Sequence, residues 1–524
     1  MGAARLFRKL GIPAALLAAA APLVAASLAP AHAQNAITWG KQTEVISYDP
    51  QFSGDGASWD LFFLVYQQLL SSDDNFHLAP ALAEKWETVS PTSYRFHLQP
   101  TAAFSNGRPV VADDVVGSLK RLTDPQTGGV WGKQLGKVTA ITAEDEHTVR
   151  VDLAEPNTAF LNVLPSAPLS ILPMQEINDK SFDPKKTLLG SGPFTVAEHV
   201  QDQFWRLTRN AHFGVPGKPV ADEFVIKVLT NDSARIAALR GGQVDVATFD
   251  SPDTPQLLSA VPNVKFLKQG TTNYFRLDVN ARGEDTPMSD KRLRQAMHYA
   301  LDRDAIVNIV FGGQTQVEHP IPTTLGLDAC RKDDFYSLPR AERLAKAKAL
   351  LKEAGKDGVK VGVIGSSALS IYSLIAQVIQ SNLNEAGFSA SVEKIPTADW
   401  YQRVFVAKPK FDLAVSWYAG YTDPAMIMYW WTPEGAKGWA DGYTLPDDAL
   451  TAAVQKLREL PNGAERLAVM SEACDLIDGD ANVIALVGKP DYVAWRDDAV
   501  NVHFGASEGY FRMFKYAAEF SRKH

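Results

Sequence analysis

Side chains that could act as nucleophiles, bases or metal ligands are scattered along this sequence and never fall into a catalytic spacing. The chain has none of the G-x-S-x-G, P-loop, H-E-x-x-H or dinucleotide glycine patterns that place such groups at an active site. Ser191 lies between two glycines but lacks the flanking pattern that exposes a nucleophile, and the ten histidines do not pair at metal-ligand spacing. The sequence therefore predicts no enzyme, no cofactor and no structural metal site.

Aromatic side chains are the residues best suited to a binding function. Eleven tryptophans and fifteen tyrosines are present, and aromatic faces bind amphipathic small molecules through stacking and apolar contact. One region is especially rich in them and contains Tyr418, Tyr421, Tyr429, Trp430, Trp431 and Trp439. This composition favours the binding of a small organic molecule.

Alternating strands and helices would position these residues. Residues 224–247 predict a strand, a helix that ends at Gly241, and a short buried strand. Residues 359–395 predict a second strand–helix–strand unit. Residues 86–98 and 148–153 alternate between apolar and polar side chains, as β-strands do. The sequence therefore predicts an α/β fold with two α/β lobes and an additional β-rich stretch.

The N-terminal residues predict an exported protein. Three basic residues among the first nine precede an apolar stretch over residues 10–29, and the Ala-His-Ala at 31–33 has the small-x-small pattern of a cleavage site. We expect residues 1–33 to be a signal peptide, with Gln34 as the first mature residue in the periplasm. A membrane anchor is the alternative, but prolines interrupt the apolar stretch.

Charge and cysteine content limit the partners and the covalent structure. The formal net charge is −8, which argues against nucleic acid or anionic lipid as partners because both require basic surfaces. Cys330 and Cys474 are the only cysteines. They either form one disulfide or remain free, because a sequence does not give the distance between their Cα atoms.

Five segments of the chain are weak signals singly but form a distinctive pattern when they are taken together. They are LAPALAEKWETVS from Leu78, FHLQPTAAFSNGRPVVADDVVGSLKRL from Phe96, GSGPF from Gly190, SDKRLRQAMHYALDRDAIVNIVFGG from Ser289 and WYAGYTDP from Trp417. Together they resemble the extracellular solute-binding proteins of family 5, the dipeptide-, oligopeptide- and nickel-binding group of ABC importers. The resemblance extends over almost the whole chain beyond the predicted signal peptide.

The resemblance implies a two-lobed periplasmic binding protein of class II, with an extra β-rich subdomain and two segments that cross between the lobes. Lobe one would comprise residues 34–276 and 487–524, with the extra subdomain at about 81–187. Lobe two would comprise residues 277–486. The lobes would close over a ligand, and the membrane permease of an ABC importer would recognise the closed form.

The resemblance also implies where a ligand is held. Peptide-binding relatives carry an Asp for the ligand α-ammonium where this chain has Gly420, and dipeptide binders carry an Arg near the position of Ser366. Asp423 is either a substitute anchor or a turn residue. Losing the partner of a buried charge costs about 3–5 kcal/mol, so we expect free dipeptides to bind poorly. The remaining candidate ligand-binding residues are Tyr48, Asp55, Trp59, Trp131, Tyr274, Trp400, Trp417, Tyr418 and Tyr421.

Three functions remain open. The preferred one is the import of a small organic solute other than a simple dipeptide, such as a modified peptide, an opine-like conjugate or a glycoside. The second is oligopeptide binding with different anchors, and the third is a metal-chelate carrier or an enzyme on the same scaffold. For the first function we expect the protein to be a monomer. Its partners would be the organic solute and the membrane permease of an ABC importer.

Overall fold

The chain forms two mixed β-sheets, a smaller antiparallel sheet and helices packed around them. The computed structural model describes residues 35–124, 130–327, 329–330, 334–367, 370–406, 408–418, 420–505, 507–508 and 513–523. The predicted signal peptide and the predicted first mature residue, Gln34, lie outside the described residues.

The first mixed sheet has eight strands and is built from both the beginning and the end of the described chain. Its strands, in order across the sheet, are Ser507–Glu508, Val264–Thr271, Asp491–Arg496, Val246–Phe249, Ala36–Lys41, Glu223–Val228, Phe204–Arg209 and Phe194–Val200. Strand Ala36–Lys41 pairs in parallel with the strands on both sides. Strand Asp491–Arg496 is antiparallel to both of its neighbours, so the C-terminal part of the chain returns to this sheet.

The second mixed sheet has five strands. In order they are Ser389–Ile395, Lys360–Ser366, Leu413–Tyr418, Tyr274–Val279 and Val483–Gly488. The first three are parallel to one another, and Tyr274–Val279 is antiparallel to both of its neighbours. Parallel strands end at the same edge of a sheet, which is where ligands bind in open α/β sheets. Ser366, Trp417 and Tyr418 lie at this edge.

A third sheet is antiparallel and has four strands. They follow the order Ala83–Ser90, Ser93–Leu98, Thr148–Leu153 and Val138–Asp145. Two pairs of short strands complete the β-structure, Leu70–Ser72 with Leu78–Pro80 and Val500–Asn501 with Ser521–Arg522.

The helices connect and cover the sheets. The longer α-helices are Gly56–Val65, Ala112–Thr123, Asp232–Arg240, Lys291–Ala300, Arg340–Glu353, Ser370–Ala386, Thr397–Val404, Asp448–Glu459 and Ala464–Asp480. Shorter α-helices are Phe160–Val163, Met174–Asn178, Thr254–Leu258, Arg303–Ala305, Asp334–Ser337, Pro424–Tyr429 and Pro433–Ala436. Short helices of other types are Pro50–Phe52, Val130–Leu135, Ala167–Leu169, Pro287–Ser289, Ile306–Val310, Thr323–Leu325 and Ala517–Glu519.

Helix Lys291–Ala300 illustrates how the sequence produces these elements. Asp290 caps the helix by accepting a hydrogen bond from the backbone N–H of Arg292 at 2.9 Å. Leu293 and Met297 are buried four positions apart, which places them on one face of the helix. This face packs into the hydrophobic core of the five-stranded sheet.

A disulfide joins Cys330 to Cys474, with the two Cα atoms 5.3 Å apart. The sequence left open whether these cysteines are bonded. In the structure the bond ties the segment around Cys330 to helix Ala464–Asp480 across a sequence separation of 144 residues.

Candidate functional site

An apolar cavity of about 410 Å³ lies beside the edge of the five-stranded sheet where its parallel strands end. We call it the aromatic cavity. It is lined by Gly54, Trp59, Trp131, Arg276, Ser366, Tyr372, Trp400, Tyr401, Phe405, Ser416, Trp417, Tyr418, Tyr421, Trp430 and Trp439. Its volume falls within the range of about 300–1,000 Å³ that is usual for small-molecule sites.

The tryptophans and tyrosines of the cavity hold one another in place. Trp131 is central, because its ring centroid lies 5.3 Å from that of Trp59 and 5.2 Å from that of Trp430, in edge-to-face geometry. Tyr421 lies 6.1 Å from Trp131, and Trp439 lies 5.9 Å from Trp430. Such contacts stabilise aromatic pairs beyond the burial of their area, so they stabilise the cavity in the arrangement that this structure has.

Two indole N–H groups in the cavity have no acceptor among the described residues. Trp400 and Trp430 are both 95% buried, and neither Nε1 makes a hydrogen bond. Two other tryptophans of the lining are satisfied within the protein, since Trp131 donates to the backbone oxygen of Ser53 at 3.0 Å and Trp439 to that of Gly435 at 2.9 Å. Buried donors normally find a partner. Both Nε1 atoms are closed off by protein atoms in this structure, so an acceptor on a bound ligand would satisfy them only after the rings turn towards the cavity.

Arg276 is a charged residue of the cavity that the sequence analysis missed. It lies in strand Tyr274–Val279, is almost fully buried, and donates from Nε and Nη2 to the carboxylate of Asp278 at 2.7 and 3.3 Å. Its guanidinium lies about 5 Å from the ring centroids of Trp431 and Trp439. Burial disfavours its charge, but the ion pair with Asp278 outweighs burial and raises the pKa of Arg276. Arg276 is therefore a fixed cation in the wall.

A sequence signal for Arg276 does exist. Arg276 and Asp278 interrupt an otherwise apolar strand and are two residues apart, so their side chains lie on the same face. Opposite charges in this arrangement indicate an internal ion pair.

A second cavity, of about 400 Å³, adjoins the first and is rich in charge. We call it the acidic cavity. Its lining shares Tyr372, Tyr401 and Trp417 with the aromatic cavity. Its other lining residues are Lys41, Gln42, Thr43, Glu44, Ile46, Asp55, Gly56, Ala57, Asp60, Thr248, Phe249, Asp250, Phe275, Phe311, Ile371, Lys489, Pro490, Asp491 and Met513.

Ion pairs organise the acidic cavity. Lys41 Nζ lies 3.0 Å from a carboxylate oxygen of Asp60, and Lys489 Nζ lies 2.8 Å from Asp491 and 3.5 Å from Asp250. The Asp60 side chain is 19% exposed but is surrounded by protein atoms. This burial raises the pKa of Asp60 to about 6, although Lys41 acts in the opposite direction. The carboxylates of Asp491 and Asp55 raise the pKa of Asp60 further, but they contribute less than burial does.

The structure brings together most of the residues that the sequence analysis proposed. Those that line the aromatic cavity are Trp59, Trp131, Trp400, Trp417, Tyr418 and Tyr421. Asp55 lines the acidic cavity, where it also caps helix Gly56–Val65. Ser366, at the position where dipeptide binders carry an Arg, lines the aromatic cavity. Tyr48, Tyr274, Gly420 and Asp423 are not among the lining residues of either cavity.

Gly420 and Asp423 have internal partners. The backbone N–H of Gly420 donates to Asn273 Oδ1 at 2.6 Å, and a Cβ added to Gly420 would lie 1.9 Å from Oγ1 of Thr272. The buried carboxylate of Asp423 caps helix Pro424–Tyr429 and accepts two hydrogen bonds from Arg466 at 2.9 and 3.0 Å. In this structure Asp423 is therefore engaged by a protein cation.

Tyr48 and Tyr274 make contacts behind the cavity walls. The Tyr48 hydroxyl lies 3.3 Å from Nδ1 of His199, and its ring lies 5.7 Å from that of Trp205. Tyr274 stacks on Tyr418 at 5.4 Å and thereby supports a ring that lines the aromatic cavity.

These features define the class of protein as a mixed α/β binding protein with an aromatic cavity at the ends of parallel strands. The model of the bacterial extracellular solute-binding proteins, family 5, matches residues 77–439. The chain belongs to this family, whose members are binding proteins of transporters and have two lobes.

Individual relatives agree with this assignment. The probable D,D-dipeptide-binding periplasmic protein DdpA of Escherichia coli K12 is 27% identical over 414 residues, which cover 76% of this chain and 78% of DdpA. The periplasmic oligopeptide-binding protein OppA of Salmonella typhimurium is 30% identical over 378 residues, which cover 66% of this chain and 67% of OppA. The chain is thus an ABC-type solute-binding protein for peptides or small ligands.

A solved structure shows the same fold. The periplasmic binding protein AgaA of A. tumefaciens R10, in complex with agropinic acid, superposes with a TM-score of 0.80 at 22% identity. The superposition covers 93% of this chain and 99% of AgaA.

Two further findings apply to the part of the chain that the structure describes. No helix there combines the length and the hydrophobicity needed to cross a membrane. The same residues contain no group of three or more His, Cys, Asp or Glu side chains arranged to hold a metal ion.

Proposed function

We propose that this protein captures an amphipathic organic solute other than a free dipeptide, delivers it to an ABC permease, and catalyses no reaction. Candidate solutes are a modified peptide, an opine-like conjugate or a glycoside. The observation that carries the proposal is the aromatic cavity, whose lining includes two tryptophans with unsatisfied N–H groups and the cation Arg276 but no carboxylate among its described residues. Its chemistry suits an apolar body that carries hydrogen-bond acceptors.

The cavity is a poor environment for a peptide α-ammonium. The loop position that carries an anchoring Asp in peptide-binding relatives is Gly420 here, and the neighbouring Asp423 is neutralised by Arg466. An unpaired ammonium in an aromatic cavity would lose hydration without gaining a counter-charge. AgaA, which was solved with agropinic acid, has the same fold, so the scaffold accommodates non-peptide solutes.

Closure of two lobes is the proposed mode of capture. We assign residues 34–276 and 487–524 to lobe one, with the extra subdomain at about 81–187, and residues 277–486 to lobe two. The strand order supports this division to within a few residues, because the eight-stranded sheet uses strands up to Thr271 and from Asp491 onward. Strands Tyr274–Val279 and Val483–Gly488, which cross the proposed limits, belong to the five-stranded sheet. Trp59 and Trp131 on one side of the aromatic cavity, and Trp400 and Trp417 on the other, would contact the ligand together only when the lobes are closed.

Export to the periplasm follows from the N-terminal pattern, and the relatives named above are periplasmic proteins. We propose cleavage after residue 33 and a monomeric mature protein. Mass spectrometry of the exported protein would test the cleavage site, and light scattering would test the oligomeric state.

The acidic cavity favours a second candidate function, the binding of oligopeptides through anchors different from those of the relatives. Its carboxylates, among them Asp55, Asp60 and Asp491, offer counter-charges for an α-ammonium or for basic side chains. Binding of unmodified peptides would favour this candidate over the first.

The variant Trp400→Phe tests the role of the aromatic cavity. The solute that gives the largest thermal shift in a panel of opines, modified peptides and glycosides serves as the ligand for calorimetry. Loss of one hydrogen bond should weaken its binding about three- to tenfold. Apart from the packing that any smaller ring loses here, as in the control below, the stability of the free protein should change little, because the deleted N–H has no partner.

Trp131→Phe is the matched control, since Trp131 lines the same cavity but uses its N–H within the protein. This variant should lose about 1 kcal/mol of stability and less affinity than Trp400→Phe. Equal losses of affinity in the two variants would contradict a ligand contact at Nε1 of Trp400.

A further inference from the structure

We propose that the acidic cavity is the second half of the same ligand site, and that it takes an organic cation, an ammonium or a guanidinium, carried by a solute whose apolar body occupies the aromatic cavity. The inference rests on the proposed function and specifies its ligand as an amphipathic cation.

The two cavities adjoin each other. They share the aromatic side chains Tyr372, Tyr401 and Trp417. With about 410 and 400 Å³, they have similar sizes. A solute whose apolar and charged ends are joined by a short chain would pass these three side chains and occupy both.

Negative charge exceeds positive charge in the second cavity. Its lining contains five carboxylates, those of Glu44, Asp55, Asp60, Asp250 and Asp491, but only two amines. The amines are already engaged by three of these acids at 2.8 to 3.5 Å. Buried charges are normally compensated, and a cation on the ligand would supply the missing compensation.

Asp55 and Glu44 are the two carboxylates without a lysine or arginine partner among the described residues. Asp55 accepts hydrogen bonds from the backbone N–H of Ser58 at 2.7 Å and from the hydroxyl of Ser53 at 3.2 Å. Glu44 accepts from Nε1 of Trp205 at 2.7 Å. Glu44 also lies 3.5 Å from Nε2 of His199, so Asp55 is the carboxylate whose hydrogen-bond donors are all neutral.

Independent evidence for a ligand comes from the adjoining aromatic cavity. The unsatisfied Nε1 groups of Trp400 and Trp430 are buried there and require an acceptor. The combined site would therefore fit a solute whose apolar body carries hydrogen-bond acceptors and whose other end carries a positive charge. A bare metal ion fits less well, because no described residues form a cluster that could hold one.

The test uses two probes that differ only in charge, 4-phenylbutylamine and 4-phenylbutanol, and measures their binding to the full-length mature protein by calorimetry. Asp55→Asn removes one carboxylate charge while keeping a good helix cap. Asp447→Asn is the matched control, because Asp447 also caps a helix, through the N–H of Leu450 at 2.9 Å, but lines neither cavity.

We expect the amine to bind about tenfold more tightly than the alcohol. Asp55→Asn should weaken amine binding about three- to tenfold and leave alcohol binding unchanged, whereas Asp447→Asn should change neither. Equal affinities of the two probes, or an amine affinity that is insensitive to Asp55→Asn, would overturn the cation inference while leaving the proposed function intact. If neither probe binds in the millimolar range, the cation inference is also overturned, whereas the proposed function is decided by the panel of opines, modified peptides and glycosides.

Discussion

The contact between Gly420 and Thr272 leads to a sharp prediction for the variant Gly420→Ala. A Cβ at position 420 would lie 1.9 Å from Oγ1 and 2.3 Å from the carbonyl carbon of Thr272, whereas ordinary contact begins at 3.4 Å. Because one of these atoms belongs to the backbone, a change of side-chain rotamer cannot relieve the overlap. The loop that follows strand Leu413–Tyr418 must therefore move.

The cost of this movement can be worked out from two contributions. Overpacking at a tight contact costs about 1–3 kcal/mol. Displacement of the loop also breaks the 2.6 Å hydrogen bond from Gly420 to Asn273, which contributes about 1 kcal/mol. Together they predict a loss of about 2–4 kcal/mol and, for a chain of this length, a thermal midpoint lower by about 2–4 °C.

The assay is a thermal melt of the ligand-free protein, followed by circular dichroism at one scan rate. Gly479→Ala makes the same chemical change in helix Ala464–Asp480, where nothing lies within 4 Å of the added Cβ. This control should gain about 0.5–1 kcal/mol, because alanine is the better helix former.

The packing argument is refuted if Gly420→Ala melts at the wild-type temperature or if the two variants shift in the same direction. The predicted result has a practical consequence. Restoring an anchoring carboxylate by Gly420→Asp would disturb the loop, so a failure of that variant to bind dipeptides would say little about the missing charge.

Three other predictions concern stability. Asp423→Ala leaves the buried Arg466 without its partner and should cost about 3–5 kcal/mol in denaturation experiments, with solute affinity per folded molecule unchanged; a selective loss of affinity would instead make Asp423 a ligand residue. Replacing Cys330 and Cys474 together by alanine should cost about 2–5 kcal/mol, and non-reducing peptide mapping that recovers the two peptides unlinked would contradict the disulfide. Burial raises the pKa of Asp60 from 3.8 to about 6. The folded protein therefore gains stability from proton binding at Asp60, and this gain is fully present below pH 3.8 and is lost as the pH rises through 6. The stability of Asp60→Asn relative to wild type should therefore improve by up to about 3 kcal/mol between pH 4 and pH 7, and a difference that does not vary with pH would refute the raised pKa.

The repeating units of the fold were predictable from local patterns. The strand–helix–strand unit over residues 224–247 appears as Glu223–Val228, Asp232–Arg240 and Val246–Phe249. It was recognisable because an apolar run precedes an amphipathic helix that ends at Gly241. The helix predicted at 372–386 is present as Ser370–Ala386, and its apolar face packs into the core.

The site was predictable only in part, because its two halves depend on different kinds of information. The tryptophans of the aromatic cavity lie near one another in sequence or match a family motif, as Trp400 and Trp417 do. The acidic cavity joins Lys41, Asp250 and Asp491, which are hundreds of residues apart and meet only through the order of strands in the eight-stranded sheet. Sequence patterns do not report such long-range proximity.

The most direct test of the central claim is a thermal-shift screen of the mature protein after unfolding and refolding have removed any bound solute. The panel would contain unmodified di- and tripeptides, opines, modified peptides, oligosaccharides and nickel chelates. A ligand at a hundredfold its dissociation constant adds about 2.7 kcal/mol of stability, which raises the midpoint visibly. The account predicts a shift with an amphipathic non-dipeptide solute and none with free dipeptides. A clear shift with ordinary dipeptides would contradict it and would mean that other carboxylates replace the anchor that is missing at Gly420.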